Sequence, residues 1–261
     1  MHRALVSGAA IAVLCSVVGL FLVLRRYSLF GDAIAHSSFG GIALGLLAGV
    51  YPLWTAYGVS IASALIITKV KDKFNISGDA SIAVLLSSGI AAGLVIIGLS
   101  GGFTVDIFSF LFGSILLVGA DDAVLVLVMT GAILIIVLLF YRQMLYSTFS
   151  EEQAQVSGIH VQRINYLIVV MAGITVVTSI QLVGVLLISA LFVIPNVTAI
   201  MYGRGFLQTA VISVILSVSA VVAGILVSYL FDITPAGTIV LLSIGMLGCT
   251  MGLKSAGLLS R

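Results

Sequence analysis

The sequence predicts an all-α protein, a polytopic transmembrane helical bundle of about nine spans with a short non-spanning helix near the outer face. Three observations carry that reading. Of 261 residues, 61% are hydrophobic and only 8% charged, with a mean hydropathy of +1.34. A soluble domain carries about 25% charged residues, so this composition excludes one. The apolar residues also fall in long runs of the length that crosses a bilayer as a helix, about 20 residues. Finally, the basic residues cluster between the runs, almost all on one side of the membrane once the spans are laid out.

Taken in order, the runs cover approximately 4–24, 29–49, 53–69, 80–100, 122–141, 164–180, 183–202, 207–230 and 235–253. The first ends in Arg25 and Arg26 rather than in a small-residue cleavage site, and Leu14 precedes Cys15, so it reads as a retained span rather than a signal. The stretch 105–118 is apolar but too short to cross unaided. Following Gly101 and Gly102, it reads as a re-entrant or interfacial helix.

Charge distribution tests that choice. With 105–118 non-spanning and the N-terminus outside, Arg25, Arg26, Lys69, Lys71, Lys73, Arg142, Arg163, Arg204, Lys254 and Arg261 all fall inside, leaving only Arg3 outside. If 105–118 crossed, five of the eleven basic residues would be inside and six outside. The positive-inside rule selects the first arrangement, N-out and C-in, in a cell membrane. No long repeat or low-complexity linker divides the chain, so 1–261 reads as one membrane domain whose longest polar interruption, 142–163, faces the cytoplasm. Cys15 and Cys249 both lie in apolar runs and define no disulfide framework. A net charge of +2 with no basic patch excludes nucleic acid as a partner.

The second span carries the sharpest chemistry. Asp32 and His36 are four residues apart, which places a carboxylate and an imidazole on one helix face. His36 lies about 10 Å past the start of the span, at hydrocarbon depth. Ionisable groups there are costly and pair with one another, with a substrate or with an ion. An oxygen and a nitrogen ligand suit a divalent transition metal; an Asp–His hydrogen bond or a proton relay uses the same pair. Further along, Gly41, Gly45 and Gly49 repeat every four residues, a pattern for close helix packing.

Three other segments stand out. In the cytoplasmic insert, Ser150 is placed to cap a short helix opening with Glu151 and Glu152 and ending at Gly158. Such a helix can dock a soluble partner or simply lie at the interface. In the seventh span Pro195 breaks the helical ladder beside Asn196, and Ser189, Pro195, Asn196 and Thr198 are candidates to line a pathway; a kink without ligands explains the same residues. Asp106, Asp121, Asp122 and Asp232 fall on the outer side, as a cation funnel or as solvated loop charges. There is no H-E-x-x-H, G-x-S-x-G or Walker A pattern, so the chain is expected to hold no catalytic site of its own.

Four segments together resemble the permease subunit of ATP-binding-cassette importers for zinc, manganese or iron. RRYSLFGDAIAHSSFGGIALG (25–45) is similar to that family's R-x-x-S-L-x-G-D-A-x-S-H-x-x-x-P-G-x-A pattern. LFGSIL (111–116), the stretch from Phe149 to Gly158 continuing through VGVLLISALFVIPNVTA, and ITPAGTIVLL complete the ordered set. The resemblance implies a type II importer-like fold, a homodimeric permease, two cytoplasmic ATPase subunits and an extracytoplasmic metal-binding protein. It implies no resident cofactor, since the metal is the substrate. Asp32 and His36 match the family's intramembrane metal pair, and 149–158, with Phe149, Ser150, Glu151, Glu152, Ala154 and Gly158, matches the helix that seats on the ATPase. The chain departs at Ser150 for Asp, Gly40 for Pro, Ala35 for Ser and Asn196 for Ala. The rival reading is a secondary transporter or channel in which Asp32 and His36 relay protons or ions.

Overall fold

The computed structural model describes residues 2–74, 77–99, 113 and 119–257. Among the described residues there is no strand. The helices are α1 (His2–Leu24), α2 (Phe30–Ala48), α3 (Pro52–Phe74), α4 (Gly78–Leu99), α5 (Ala120–Phe149), α6 (Glu151–Val156), α7 (Val161–Val183), α8 (Val185–Ile200), α9 (Phe206–Phe231) and α10 (Pro235–Ser255). Seven of them, α1, α3, α4, α5, α7, α9 and α10, are long and apolar enough to cross a membrane. α8 has 16 residues and α2 has 19 interrupted by Asp32 and His36. The stretch 105–118 lies outside the described residues except for Gly113, which packs against the backbone of Val183 and Gly184.

Two helices outrun their apolar segments. α3 continues to Phe74 and α5 to Phe149, although the apolar runs stop near 69 and 141. Charged residues end a hydropathy run, but they leave the backbone ladder intact, so the helix projects beyond the hydrocarbon.

Contacts between helix ends fix the chain direction. Tyr27, just after α1, meets Lys71 near the end of α3 and Gly78 at the start of α4. Arg25 reaches the last turn of α5 and Asn165 in α7. Phe206, opening α9, touches Phe21, Tyr141 and Phe149. These ends lie together, and the long helices run alternately toward and away from them, so α4 ends and α5 begins at the opposite end. The shared end also carries Arg25, Arg26, Lys69, Lys71, Lys73, Arg142, Arg163, Arg204 and Lys254, whereas Arg3 lies at the other.

Four helices form the centre. α1 packs against α5, α7, α8 and α9, and α2 packs against α3, α4, α7 and α8. The apolar stretches of α1 and α7 are 72% and 67% buried, against 22–33% for α3, α4, α5, α9 and α10. The outer helices present Leu138, Leu139, Leu230 and Leu241 outward, an apolar surface suited to lipid and not to water.

Glycine sets how near α2 comes to its neighbours. A methyl added at Gly41 would lie 2.9 Å from the Ala56 Cα and 3.0 Å from the Thr55 carbonyl, and one at Gly45 would strike Thr55 and Pro52. Both therefore face α3. Gly49, grouped with them by spacing, is not part of that contact. It sits past the helix as its left-handed cap (φ +67°), with open space around it. The packing repeat stops at Gly45 because α2 ends at Ala48, before the next repeat position, with the Gly45 carbonyl accepting the Val50 N–H at the cap. On the other side Gly40 faces Gly89 and Gly93 of α4.

At Gly89 an added Cβ would lie 2.7 Å from both the Cα and N of Ser37, backbone atoms that cannot swing aside. Gly89→Ala should cost about 1–3 kcal/mol through forced separation of α2 and α4. Gly98→Ala, with open space around it, should cost far less. Thermal unfolding of the two variants in detergent checks the difference.

Candidate functional site

From Phe30 through Ala43 every residue of α2 is buried except Asp32 and His36. The two share a face, with Asp32 Oδ1 3.8 Å from His36 Nε2 and their side chains 25% and 21% exposed. Packing on all other sides explains this. Gly31 abuts the Phe192 ring of α8, Ser37 and Gly40 meet α4, and Gly41 and Gly45 meet α3. Ser37 donates to Ser63 Oγ across 2.7 Å, pinning α2 to α3 one residue beyond His36. Asp32 lies in the first turn of α2, where the helix dipole favours a carboxylate.

One chain supplies this pair and no more. Among the described residues no group of three or more His, Cys, Asp or Glu side chains gathers where it could hold a metal. Zinc and manganese take four to six ligands. A carboxylate and an imidazole aimed out of a closed helix face are two donors, fewer than such a metal takes, and they stay open toward whatever lies against that face.

The other candidates separate from it. Pro195 lies inside α8 and is buried, Ser189 is half-buried, and Asn196 is fully buried. The Asn196 amide donates to the Phe192 carbonyl at 2.8 Å and accepts from Ser213 Oγ at 2.7 Å. Ser213 has one hydroxyl hydrogen and gives it to Asn196, so Ser16, 2.7 Å away, must donate to Ser213. Asn196 thus joins α8, α9 and α1, and its polar atoms are spent on that junction. Thr198 turns back onto the Ile194 carbonyl. Of the outer carboxylates, Asp122 accepts the Gly119 N–H at the start of α5, and Asp232 is the left-handed cap of α9. Asp106 lies outside the described residues.

At the end of the bundle where the basic residues collect, α6 stands out from α5 and α7. Ser150 accepts the Gln153 N–H at 3.3 Å, while its own N–H closes α5 on the Tyr146 carbonyl. One residue thus stops a long helix and starts a short one. Glu151 and Glu152 occupy the first turn of α6, Ala154 is buried, and Gly158 follows at φ +80°. Val156, 91% exposed, points away from the bundle. Phe149 is also exposed, with its ring edge-on to Phe206 at 6.4 Å.

Two features escaped sequence reasoning. Arg25 donates through Nε to Thr148 Oγ1 (3.1 Å), through Nη2 to Ser147 Oγ (2.6 Å) and through Nη1 to Asn165 Oδ1. Burial lowers its pKa from the ordinary guanidinium value, opposed by the nearby Glu151 carboxylate. The second is the aromatic group around Phe206, which gathers α1, α5 and α9. Spacing along one helix signals neither, since the partners lie more than a hundred or some sixty residues apart in sequence for Arg25–Thr148 and Tyr141–Phe206.

Among the described residues, a helical bundle with an apolar outside and an acid–imidazole pair on an enclosed inner helix is the build of a multi-pass membrane protein. Residues 1–252 match the ABC 3 transport family, and the chain belongs to that family. It is 33% identical over 257 residues to a probable metal transport system membrane protein of Treponema pallidum, covering 98% of this chain and 96% of that one. It is 32% identical over 243 residues to the manganese import system permease protein ScaB of Streptococcus gordonii, covering 93% and 87%. Its fold is similar to a chain of PsaBC from Streptococcus pneumoniae in complex with Fab. There the TM-score is 0.85 and the identity 31%, covering 95% of this chain and 90% of that one.

The Asn196 junction makes a definite prediction. Ser213→Ala removes the donor to the Asn196 carbonyl oxygen and leaves a buried acceptor unpaired, at a cost of about 1–3 kcal/mol. Thermal unfolding in detergent should show that loss, while metal binding to the folded variant stays unchanged.

Proposed function

We propose that the chain is the membrane-spanning permease of an ATP-binding-cassette importer that takes up a divalent transition metal, manganese before zinc or iron. The observation that carries this is the closure of α2 from Phe30 through Ala43 on every side except at Asp32 and His36. In hydrocarbon such a pair is expensive unless a cation or partner compensates it. Carboxylate with imidazole, and no thiolate, suits manganese or iron(II) as well as zinc. The names carried by relatives such as ScaB favour manganese.

The reading supposes a homodimer in which the Asp32 and His36 of two copies meet. Two carboxylates would neutralise a divalent ion, and two imidazoles would complete four ligands. It takes α1, α2, α3, α4, α5, α7, α8, α9 and α10 as nine crossings, with the N-terminus outside and the C-terminus inside. The basic residues gathered at one end support that orientation. α6 then faces the cytoplasm and seats on an ATPase subunit through Val156 and Glu152, while an extracytoplasmic protein delivers the ion to the opposite end. The permease contributes no hydrolytic chemistry; ATP is split by its partner. α6 is what favours this over a secondary transporter, which has no use for a capped helix that projects an exposed apolar residue.

Proteoliposomes holding the permease, its ATPase and internal ATP, supplied with metal-loaded binding protein, test the reading. Manganese should accumulate only with ATP. Asp32→Asn and His36→Ala should each cut accumulation by about 100-fold or more, beyond the 10–100-fold that losing a mere supporting partner costs. Accumulation without ATP, or intact in both variants, would overturn it.

A further inference from the structure

Arg25 stands between the two elements that the importer reading needs to connect. On one side it begins the turn into α2. Tyr27 donates its N–H to the Leu22 carbonyl at 2.8 Å, Arg26 takes a left-handed conformation (φ +62°), and Phe30 bonds back to Tyr27 at 3.1 Å. Ala33, the residue after Asp32, bonds back to Leu29, so this turn leads directly into the first turn of α2. On the other side Arg25 holds Ser147 and Thr148 in the last turn of α5 and Asn165 in α7.

Asn165 completes the link. Its Oδ1 accepts from Arg25 while its Nδ2 donates to Glu151 Oε1 at 3.3 Å. Turning the amide over would set an oxygen against a carboxylate and a nitrogen against a guanidinium, so the two charges fix its orientation. Among the described residues, this Glu151–Asn165 bond is the side-chain hydrogen bond that leaves α6 for another helix. At the start of α2, Arg25 and Asn165 border a small cleft of about 30 Å³, room for about one water, shared with Phe30 and Lys71.

We propose that Arg25 is a positioning residue that relays displacement of α6 to the start of α2, through Glu151 and Asn165, and so ties ATP hydrolysis to the state of the Asp32–His36 pair. The proposal rests on the importer reading. It assigns a role to a cation that lies outside both the Asp32–His36 pair and α6.

The test measures metal accumulated per ATP hydrolysed in the same proteoliposomes, together with co-purification of the ATPase. Arg25→Ala should keep the ATPase bound and hydrolysis near that of the unmodified protein. Metal per ATP should fall on the order of ten-fold, within the range that changes along a coupled network produce. Arg25→Lys, which retains the charge and part of the bonding, should fall between. Asn165→Leu cuts the Glu151 link but leaves Arg25 tied to α5, and should uncouple in the same way; it decides the matter if Arg25→Ala fails to insert. An unchanged ratio in Asn165→Leu, or hydrolysis and transport lost in equal proportion, overturns the relay alone. No ATP-dependent accumulation by the unmodified protein would overturn the importer reading and the relay with it.

Discussion

Glycine brings the backbone of α2 into contact with α3 through Gly41 and Gly45, and with α4 through Gly40 and Gly89, so side chains separate the helices on neither flank. Between lipid tails and leucine there is no hydrophobic gain to drive association, and a close backbone fit supplies van der Waals contact instead. The consequences spread outward. With α7 and α8 closing the remaining sides, α2 has one open line, and the residues on that line through its first fourteen positions are Asp32 and His36. A larger residue at Gly41 or Gly89 would move α2, and with it Asp32 and His36.

That geometry changes what the Asp–His pair means. An acid and an imidazole one turn apart on an ordinary helix would be a local hydrogen bond. Here the atoms are 3.8 Å apart, too far for one, and both side chains remain partly accessible. The pair is held side by side and aimed outward rather than satisfied internally. Ser37, bonded to Ser63, fixes the rotation of α2 about its axis at that level, so both groups keep the same open face.

Much of this was legible in the sequence, for reasons that differ by element. Among the described residues, seven helices long and apolar enough to cross follow from hydropathy, because a helix in lipid must satisfy its own backbone, which ties apolar length to structure. α6 could be read because capping is local: Ser150, Glu151 and Gly158 lie within one short segment. The acid–imidazole face is likewise set by spacing along one helix. What could not be read depends on contacts distant in sequence. Gly49 is different: Pro52, three residues on, marks a helix end there, but the four-residue glycine repeat groups Gly49 with the packing positions. Asn196 looked like a pathway group because it follows a helix-breaking proline. Its partners Ser213 and Ser16 come from two other helices, and they turn it into a buried junction. Arg25 read as a topology marker; its bonds to Ser147, Thr148 and Asn165 exist only after folding.

The polar groups divide by location, and the division suits a protein that must hold one part while moving another. At the centre, Ser16, Ser213 and Asn196 are fully buried and mutually satisfied, and Tyr57 donates to Thr178 between α3 and α7. Breaking such bonds away from water leaves unpaired groups, so the inner helices are locked together. At the end that holds α6, the Asn165–Glu151 bond is exposed to solvent, and Phe149 packs against Phe206 with much of its ring uncovered. Bonds that water can replace exchange at little cost. On the proposed reading, α6 can shift against α5 and α7 without disturbing the α1–α8–α9 junction. On that reading the displacement reaches α2 at its first turn, where Phe30 borders a small cleft beside Arg25.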